Sequence, residues 1–536
     1  MTTFDQKVTD RLVSHITKLT QIGLALSVEK DIKKLLEMIV DEARSLSNAD
    51  GGTLYTVDKD KRNLCFEIMH NDSMGIRMGG NSGDEIQLPN VPLYDNNGEP
   101  NYANVSSYVA LTGKTVNIPD VYKTDGFDFT GPREYDASTG YRSTSMLVIP
   151  LQNYENDIIG VLQLLNAKEL KTNRVTFFSE VYVDLIASLA SQAAVALTNT
   201  QLIQDLTNLF YAFIQSIAAA IDEKSPYTGG HITRVVELTM MIANEINQNN
   251  HGKFKNLNFN KEELEELRLA AWMHDVGKIT TPEHIINKSS RLETLFDRVD
   301  SIETRFQLMK KIVENNHLKH KIEMLEKGSV RPEYLKTLDE NQKKQLQLLD
   351  DELLFIKSCN KSSSFMDNDK ISTIMQIAEK TYELNGKILP YLDNNERYNL
   401  SISKGTLTPE ERLVIENHAT MTLKMLKHLP FPRKLKNVPT YAAGHHEKLN
   451  GSGYPQKLSG DQLPVQSRIM AIADIFEALT AKDRPYKKPM KLSQAIKIMT
   501  EMKEDNHIDP DIFDLFITTR IYNKYAAKEM HPDQVD

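Results

Sequence analysis

His445-His446-Glu447-Lys448-Leu449-Asn450-Gly451-Ser452-Gly453-Tyr454-Pro455 joins two adjacent imidazoles and a carboxylate to a loop punctuated by glycine and proline. Neutral imidazole is a common metal ligand, and the glycines let the backbone turn tightly beside a bound group. A His-His pair alone is more often a solvated polar stretch than a metal site. Its partners change that reading. His231, His274-Asp275, His418 and Asp474 all lie in apolar or turn-punctuated surroundings in the C-terminal half, with no cysteine among them. Separated histidines and aspartates of this kind form the donor set of a multi-metal hydrolase.

Each station has its own context. His231 opens a helix directly after Gly229-Gly230. Leu264, Leu267, Ala271, His274 and Lys278 recur at helical spacing, which predicts one helix with His274 and Lys278 on a shared stripe and Asp275 one step round. A carboxylate and an imidazole beside Leu269-Ala270-Ala271-Trp272-Met273 would be costly to bury unpaired, and a metal removes that cost for both. His418 follows a helix start at Thr408-Pro409-Glu410-Glu411. Asp474, within Ile469-Met470-Ala471-Ile472-Ala473-Asp474-Ile475-Phe476, is either a ligand or a hydrogen-bonded core aspartate. Arg484-Pro485-Tyr486-Lys487-Lys488 is a basic cluster, read as a solvated face or as a phosphate-binding group.

The chain has 536 residues, 40% hydrophobic and 26% charged, with a net charge of −9. That length accommodates about three to four domain-sized units. The acidic balance carries no global footprint for a nucleic acid polymer or an anionic membrane. Cys65 and Cys359 are far apart, which fits a reducing compartment rather than a disulfide framework. The charged N-terminus predicts no signal peptide. No window is expected to near the roughly 20 apolar residues of a membrane span. A soluble, cytoplasmic protein is the expectation.

In the N-terminal third, helical spacing covers 8–26 and 30–47, and Asn48-Ala49-Asp50-Gly51-Gly52 reads as a stop. Strand-like runs follow at Thr53–Val57, Leu64–Met69, Thr115–Ile118, Ser145–Leu151 and Ile158–Asn166, with turns at Asp58–Lys61 and Asn153–Asp157. A long helix closes the region from about 178, giving an α+β sensor domain. Through Asn48–Tyr55, Thr144–Leu151 and Ile159–Asn166 the region resembles a GAF domain over residues 18–200, which implies a central antiparallel sheet with flanking helices. Some GAF domains bind cyclic nucleotides, others bilins or haem, and others nothing. Asn166, Lys168 and Phe178 match the cyclic-nucleotide pattern only in part, since the acidic pair that follows there is missing. A small ligand of unknown kind, or a purely dimerising role, stays open.

Residues 178–222 form a connecting helix without glycine or proline. Leu185, Leu189, Val195/Ala196, Leu202, Leu206, Leu209, Phe213 and Ile217 fit either a buried helix or a parallel coiled coil that joins a homodimer. It ends at Ser225-Pro226-Tyr227-Thr228-Gly229-Gly230.

Tyr227-Thr228-Gly229-Gly230-His231, His274-Asp275-Val276-Gly277-Lys278, His445-His446-Glu447, Gly453-Tyr454-Pro455, Ala473-Asp474 and Arg484-Pro485-Tyr486 together resemble an HD-GYP domain. That family is the group of HD-superfamily phosphodiesterases that hydrolyse the bacterial second messenger cyclic di-GMP. The resemblance covers 203–292 and 403–500 of an all-α domain expected at 203–534. It implies that His231, His274, Asp275, His418, His445, His446 and Asp474 hold metal, with Lys278 beside the scissile phosphate. Gly453, Tyr454, Pro455, Arg484 and Lys487 would hold the substrate. The implied cofactors are two divalent ions, iron or manganese, and the implied product is pGpG, cut further in some cases to GMP. Tyr227 stands where members with a third metal carry glutamate, so two ions are expected rather than three. Ala419, Thr422 and Asn450 replace a usual proline, glycine and aspartate, and the loop before Arg484 is one residue long for the pattern.

The largest departure is an insertion at 293–402. Leu292, Leu295, Val299, Ile302, Phe306, Met309 and Val313 predict one helix, and Leu335, Leu338, Leu346, Leu349, Leu353 and Ile356 a second, which together read as a protruding helical hairpin able to dock a protein partner. His317 and His320 belong to its charged face. Two rival functions keep the same motifs: hydrolysis of another cyclic dinucleotide or nucleotide, and a cyclic di-GMP receptor that acts through protein contacts.

Overall fold

Asp31 accepts a hydrogen bond from the Lys34 amide and starts α2 (Ile32–Ser47), and Asn48, with φ 51°, ends it by donating its backbone N–H to Arg44 O. This computed structural model describes residues 3–81, 84–224, 230–249, 252–328, 331–361, 365–482 and 489–536. They divide into two compact units, Met1–Phe210 and Tyr211–Asp536.

The first unit begins with α1 (Thr3–Val28) and α2. Strand β1 (Ala49–Val57) then starts directly after Asn48, so Ala49–Gly52 is not the expected stop but the first part of a strand. Gly52 lies against Arg44 and Val40, where a Cβ would stand 2.9 Å from both side chains, so strand and helix pack closer than a larger residue would allow. The other strands are β2 (Asn63–Asn71), β3 (Ile76–Gly79), β4 (Val91–Pro92), β5 (Val116–Ile118), β6 (Met146–Gln152), β7 (Ile158–Lys168) and β8 (Val175–Thr176). Their order is β3-β2-β1-β7-β6-β5, with β4 beside β2 and β8 beside β7, and every pairing is antiparallel.

Side chains alternate across this sheet. Leu54, Leu147, Ile149, Leu162 and Leu164 face a core built with α1, α2 and α5 (Glu180–Lys224). Tyr55, Met146, Val148 and Val161 face a second core with α3 (Val105–Thr112) and the segment leading into α4 (Thr130–Thr139). This is a GAF-like α+β domain. Asn166, with φ 55°, accepts from the Thr144 and Ser145 amides and donates to Arg142 O, which ties the end of β7 to the start of β6. Lys168 pairs not with a following acid but with Asp50 of β1.

Along α5, Leu189, Ala193 and Ala196 are buried, whereas Leu202, Leu206, Leu209 and Phe213 are 43, 65, 66 and 61% exposed. The helix contains an 18-residue window of mean hydropathy 1.5, long and apolar enough by composition to cross a membrane. The expectation that no window nears a span is corrected on this point; the apolarity is shared between core positions and an exposed seam.

The second unit is mostly helical. A capping box of Asn260 and Glu263 starts the helix Lys261–Met273, and one of Thr408 and Glu411 starts Pro409–Lys427. The helix expected to run through Lys278 stops at Met273, and a 3-10 turn, Val276–Thr280, follows. The cause is crowding: a Cβ on Gly277 would lie 2.0 Å from His418 O, so the turn packs backbone to backbone on the helix Pro409–Lys427.

The segment 293–402, expected as an inserted hairpin, is more than a hairpin. Helices Val299–Glu326 and Pro332–Asn360 are followed by the helix Asn368–Ala378, a two-stranded hairpin (Thr381–Leu384 with Lys387–Pro390) and the helix Asn394–Leu400. Ile302, Phe306, Met309, Leu353, Ile356, Ile374 and Leu400 form a core of its own. Leu295, expected on the first helix, precedes it and is 87% exposed. Arg291 is fully buried at the neck and donates to Cys359 O, Lys361 O and Ile402 O, which closes the base of the insertion. His317 bonds Asp339 across the hairpin at 2.8 Å, with Lys321 on the same carboxylate.

Candidate metal centre

Five elements of the second unit converge on one carboxylate. Asp275 lies just past the helix Lys261–Met273 and caps the start of the 3-10 turn Val276–Thr280; His231 opens the helix His231–Gln248; His418 lies in Pro409–Lys427, His445 and His446 in the 3-10 turn Gly444–His446, and Asp474 in Val465–Thr480. Asp275 Oδ2 lies 3.2 Å from His274 Nε2 and 3.7 Å from His231 Nε2. Its Oδ1 lies 3.4 Å from His418 Nε2 and 3.9 Å from His445 Nε2. Asp474 Oδ1 is 3.3 Å from His231 Nε2. The donors form two neighbouring sets, His231 with His274 and Asp275, and His418 with His445 and His446, each with ligand atoms within 4.8 Å of one another.

The ring orientations are fixed from behind. Nδ1 of His274 bonds Ala271 O at 2.7 Å, Nδ1 of His445 bonds Ala442 O at 2.6 Å, and Nδ1 of His418 bonds Ile415 O. A ring that donates from Nδ1 turns its Nε2 lone pair into the centre. Among the described residues, His274 Nε2, His418 Nε2, His445 Nε2 and Asp275 Oδ1 are buried without a hydrogen-bond partner. Orphaned acceptors of this kind cost about 1–3 kcal/mol each. Lone pairs that face a carboxylate call for a cation between them.

Protons cannot fill every place. Burial pushes the His418 pKa down, and burial together with His446 and His274 pushes that of His445 well down. Burial lowers His446 to about 3. These three rings stay neutral, the form that binds metal. Burial opposes the charge of Asp275, but Lys278 and His274 hold its carboxyl well below the usual range. His231 and His274 are the exceptions: burial works against both protons, yet Asp474 and Glu477 raise His231 to about 10 and Asp275 raises His274. The chemistry of this donor set, imidazoles around a shared carboxylate, fits divalent first-row metals.

Lys278 Nζ lies 2.6 Å from Asp275 Oδ2. Partial burial works against its charge, and Asp275 and Asp474 outweigh that and raise its pKa. The Tyr454 ring stands 4.9 Å from the ring of His446 and forms one wall. Glu447 is not part of the donor set; its buried carboxylate accepts from the Gln456 and Leu458 amides at 2.6 and 3.0 Å and closes the loop that carries Gly453, Tyr454 and Pro455. Arg484 and Lys487 lie outside the described residues, as do Tyr227, Thr228 and Gly229.

Sequence reasoning missed Glu477 and Thr422. Glu477 takes the His231 Nδ1 hydrogen bond and accepts from Arg234 Nε at 2.7 Å. Its signal was present: a second acid three residues after Asp474 on a helix apolar nearly all round. Thr422 accepts from Gly277 N at 3.0 Å and donates to His274 O at 3.1 Å, so this departure from the family pattern stitches the turn to the helix of His418.

The first unit holds a cavity of about 690 Å³, lined by Tyr55, Phe66, Phe129, Tyr135 and Gln163 among others. Asp128 and Glu134 are at its wall, and among the described residues lining it there is no lysine or arginine.

Comparison with known proteins follows the same division. A family model described as GAF domain matches residues 31–197, and two models described as HD domain match 228–354 and 367–512. A Vibrio cholerae protein named a probable cyclic di-GMP phosphodiesterase is 37% identical over 144 residues, 24% of this chain and 32% of that protein. A 3'3'-cGAMP-specific phosphodiesterase of the same organism is 39% identical over 116 residues, 21% of this chain and 25% of that protein. A cyclic di-GMP phosphodiesterase of Thermotoga maritima is 32% identical over 116 residues, 22% of this chain and 31% of that protein. The chain thus spans about a third or less of the length of these relatives.

Proposed function

Because the chain carries a GAF domain followed by HD domains of the HD-GYP kind, we propose that it is a metal-dependent phosphodiesterase that hydrolyses cyclic di-GMP to pGpG. One observation carries the reading. Asp275 offers one oxygen to each of two histidine groups, in which the buried Nε2 atoms of His274, His418 and His445 have no hydrogen-bond partner. That is the arrangement expected where two cations share a carboxylate. His231, His274, Asp275 and Asp474 would hold one, and Asp275, His418, His445 and His446 the other. Bound divalent metal, iron or manganese by its donors, supplies Lewis acidity toward the phosphoryl oxygens and a nucleophile at neutral pH.

The remaining roles belong to the chain. Lys278 keeps its ammonium at the edge of the centre, where it offsets negative charge that develops on phosphorus-bound oxygen. Tyr454 and the backbone of Gly453 and Pro455 orient the dinucleotide, a contribution that is mainly entropic. Arg484 and Lys487 add phosphate contacts in this reading. The exposed seam of α5 supports a parallel homodimer, and the cavity of the first unit is the proposed input site. Asp128 and Glu134 at its wall, with no lysine or arginine among the described lining residues, favour a neutral or cationic ligand over a nucleotide phosphate.

The test is product analysis with anaerobically purified protein supplied with ferrous or manganous ion, alongside metal content per chain. Appearance of pGpG with about two metals bound supports the assignment. A second substrate has a specific observation in its favour, since a similarly related protein is named for 3'3'-cGAMP; both dinucleotides belong in the assay. Tight binding of intact cyclic di-GMP by a metal-loaded protein without turnover would sink the enzyme reading and leave the receptor.

A further inference from the structure

Lys224, in the last turn of α5, sends its ammonium to three backbone carbonyls of one short segment. Nζ donates to Lys278 O at 3.2 Å, Ile279 O at 2.6 Å and Thr281 O at 2.8 Å. A lysine has three protons to give, and here each has an acceptor. The acceptors are carbonyls at the C-terminal end of the turn Val276–Thr280, where positive charge is favoured, and Lys278 O also accepts from the Thr281 amide at 3.0 Å. One of them belongs to Lys278 itself. The Lys278 amide donates to Asp275 O at 2.9 Å, so the backbone of this residue is fixed on one side by the metal-centre aspartate and on the other by Lys224.

The same helix grips the preceding element. The Tyr211 hydroxyl bonds the Glu265 carboxylate on Lys261–Met273, the helix that leads into His274 and Asp275. Asp222 accepts from the Ile232 amide at 3.3 Å, beside His231. The last turns of α5 therefore hold the His274–Lys278 segment before and after the metal centre and touch the start of the His231 helix as well.

We propose that Lys224 is a positioning residue for Lys278, so that the placement of the α5 terminus sets whether the Lys278 ammonium stands at the reacting phosphate. The proposal rests on the phosphodiesterase reading for its catalytic consequence, but not for its structural one. A cap that served stability alone would change melting and leave the remaining turnover per folded molecule intact. A positioning residue changes kcat, because a misplacement of about 1 Å near the chemistry can cost about 100-fold.

The experiment compares the full chain with Lys224→Met and Lys224→Arg. In Lys224→Met, kcat should fall by about 10-fold or more while KM and metal per chain stay within about twofold, and Lys224→Arg should recover most of the loss. Amide hydrogen exchange over 276–281 should speed up in Lys224→Met and not in Lys224→Arg. If Lys224→Met fails to fold, Lys224→Gln, which keeps donors but no charge, takes its place. Unchanged kcat with unchanged exchange overturns the proposal, as does a loss that appears only as lost metal or raised KM. Wild-type protein is assayed beside the variants on cyclic di-GMP and on bis(p-nitrophenyl) phosphate. If wild type cleaves neither, the phosphodiesterase reading fails while exchange still decides Lys224.

Discussion

Oδ1 of Asp275 lies 3.4 Å from Nε2 of His418, a residue on a separate helix whose Nδ1 is already committed to Ile415 O. The other oxygen of the same carboxylate faces His274 and Lys278. Thr422 holds the two backbones together one helical turn after His418. The centre is thus assembled from both sides of residues 293–402, and its geometry depends on the turn of Gly277 pressing on Pro409–Lys427.

Replacing His274 and Asp275 together by alanine should abolish hydrolysis and lower metal content, because the double change removes the shared carboxylate and one ring. Metal analysis of folded protein, set beside product formation, checks this. Activity retained with metal still bound would remove the site assignment.

Glu477→Ala should weaken metal binding by about 10- to 100-fold without touching the donor set directly. The carboxylate takes the Nδ1 hydrogen bond of His231 and so keeps Nε2 turned toward Asp275 and Asp474. Competition with a chelator of known affinity reads the change. An unaltered affinity would reduce Glu477 to a partner of Arg234.

Gly453→Ala should cost about 1–3 kcal/mol in overpacking and raise KM more than it lowers kcat. A Cβ there would lie 2.5 Å from Glu447 Cα and Lys448 N, and neither backbone can retreat without moving Glu447, which closes the loop. Tyr454 would shift with it. Steady-state kinetics with the metal content held constant separate this from a lesion in the metal centre.

That these histidines and aspartates come together was legible in the sequence because few residue types serve as metal ligands and because His274, Asp275 and Asp474 stand out in apolar surroundings. The sheet was legible as short strand-like runs between turns, but that its side chains divide between two cores, as at Leu54-Tyr55 and Met146-Leu147, is seen only in the fold. What escaped depends on partners remote in the chain. Nothing local to Gly51-Gly52 tells that α2 will pack close enough to need glycine in a strand rather than at a stop. Nothing local to Lys224 points to carbonyls of Lys278 and Thr281. In the insertion, the three-and-four spacing from Leu292 to Val313 was real only from Val299 onward, since Leu292 and Arg291 are drawn into the neck and leave Leu295 outside.

Acid should loosen the second unit. His507 is partly buried beside Lys448, and burial first, then the lysine charge, lowers its pKa to about 4. The fold therefore prefers the neutral ring. Its contribution is complete above the ordinary value of about 6.5 and is lost as pH falls toward about 4. Between pH 7 and 5 the second unit should lose about 1–2 kcal/mol from this group. Asn450 binds the same segment through Asn506 O and Asp505 O, so the loosening should reach the loop that carries Tyr454. Trp272, the single tryptophan, reports unfolding of this unit in urea. In His507→Gln the midpoint should depend less on pH between 7 and 5 than in wild type; an equal dependence in the two proteins would assign the acid sensitivity to other groups.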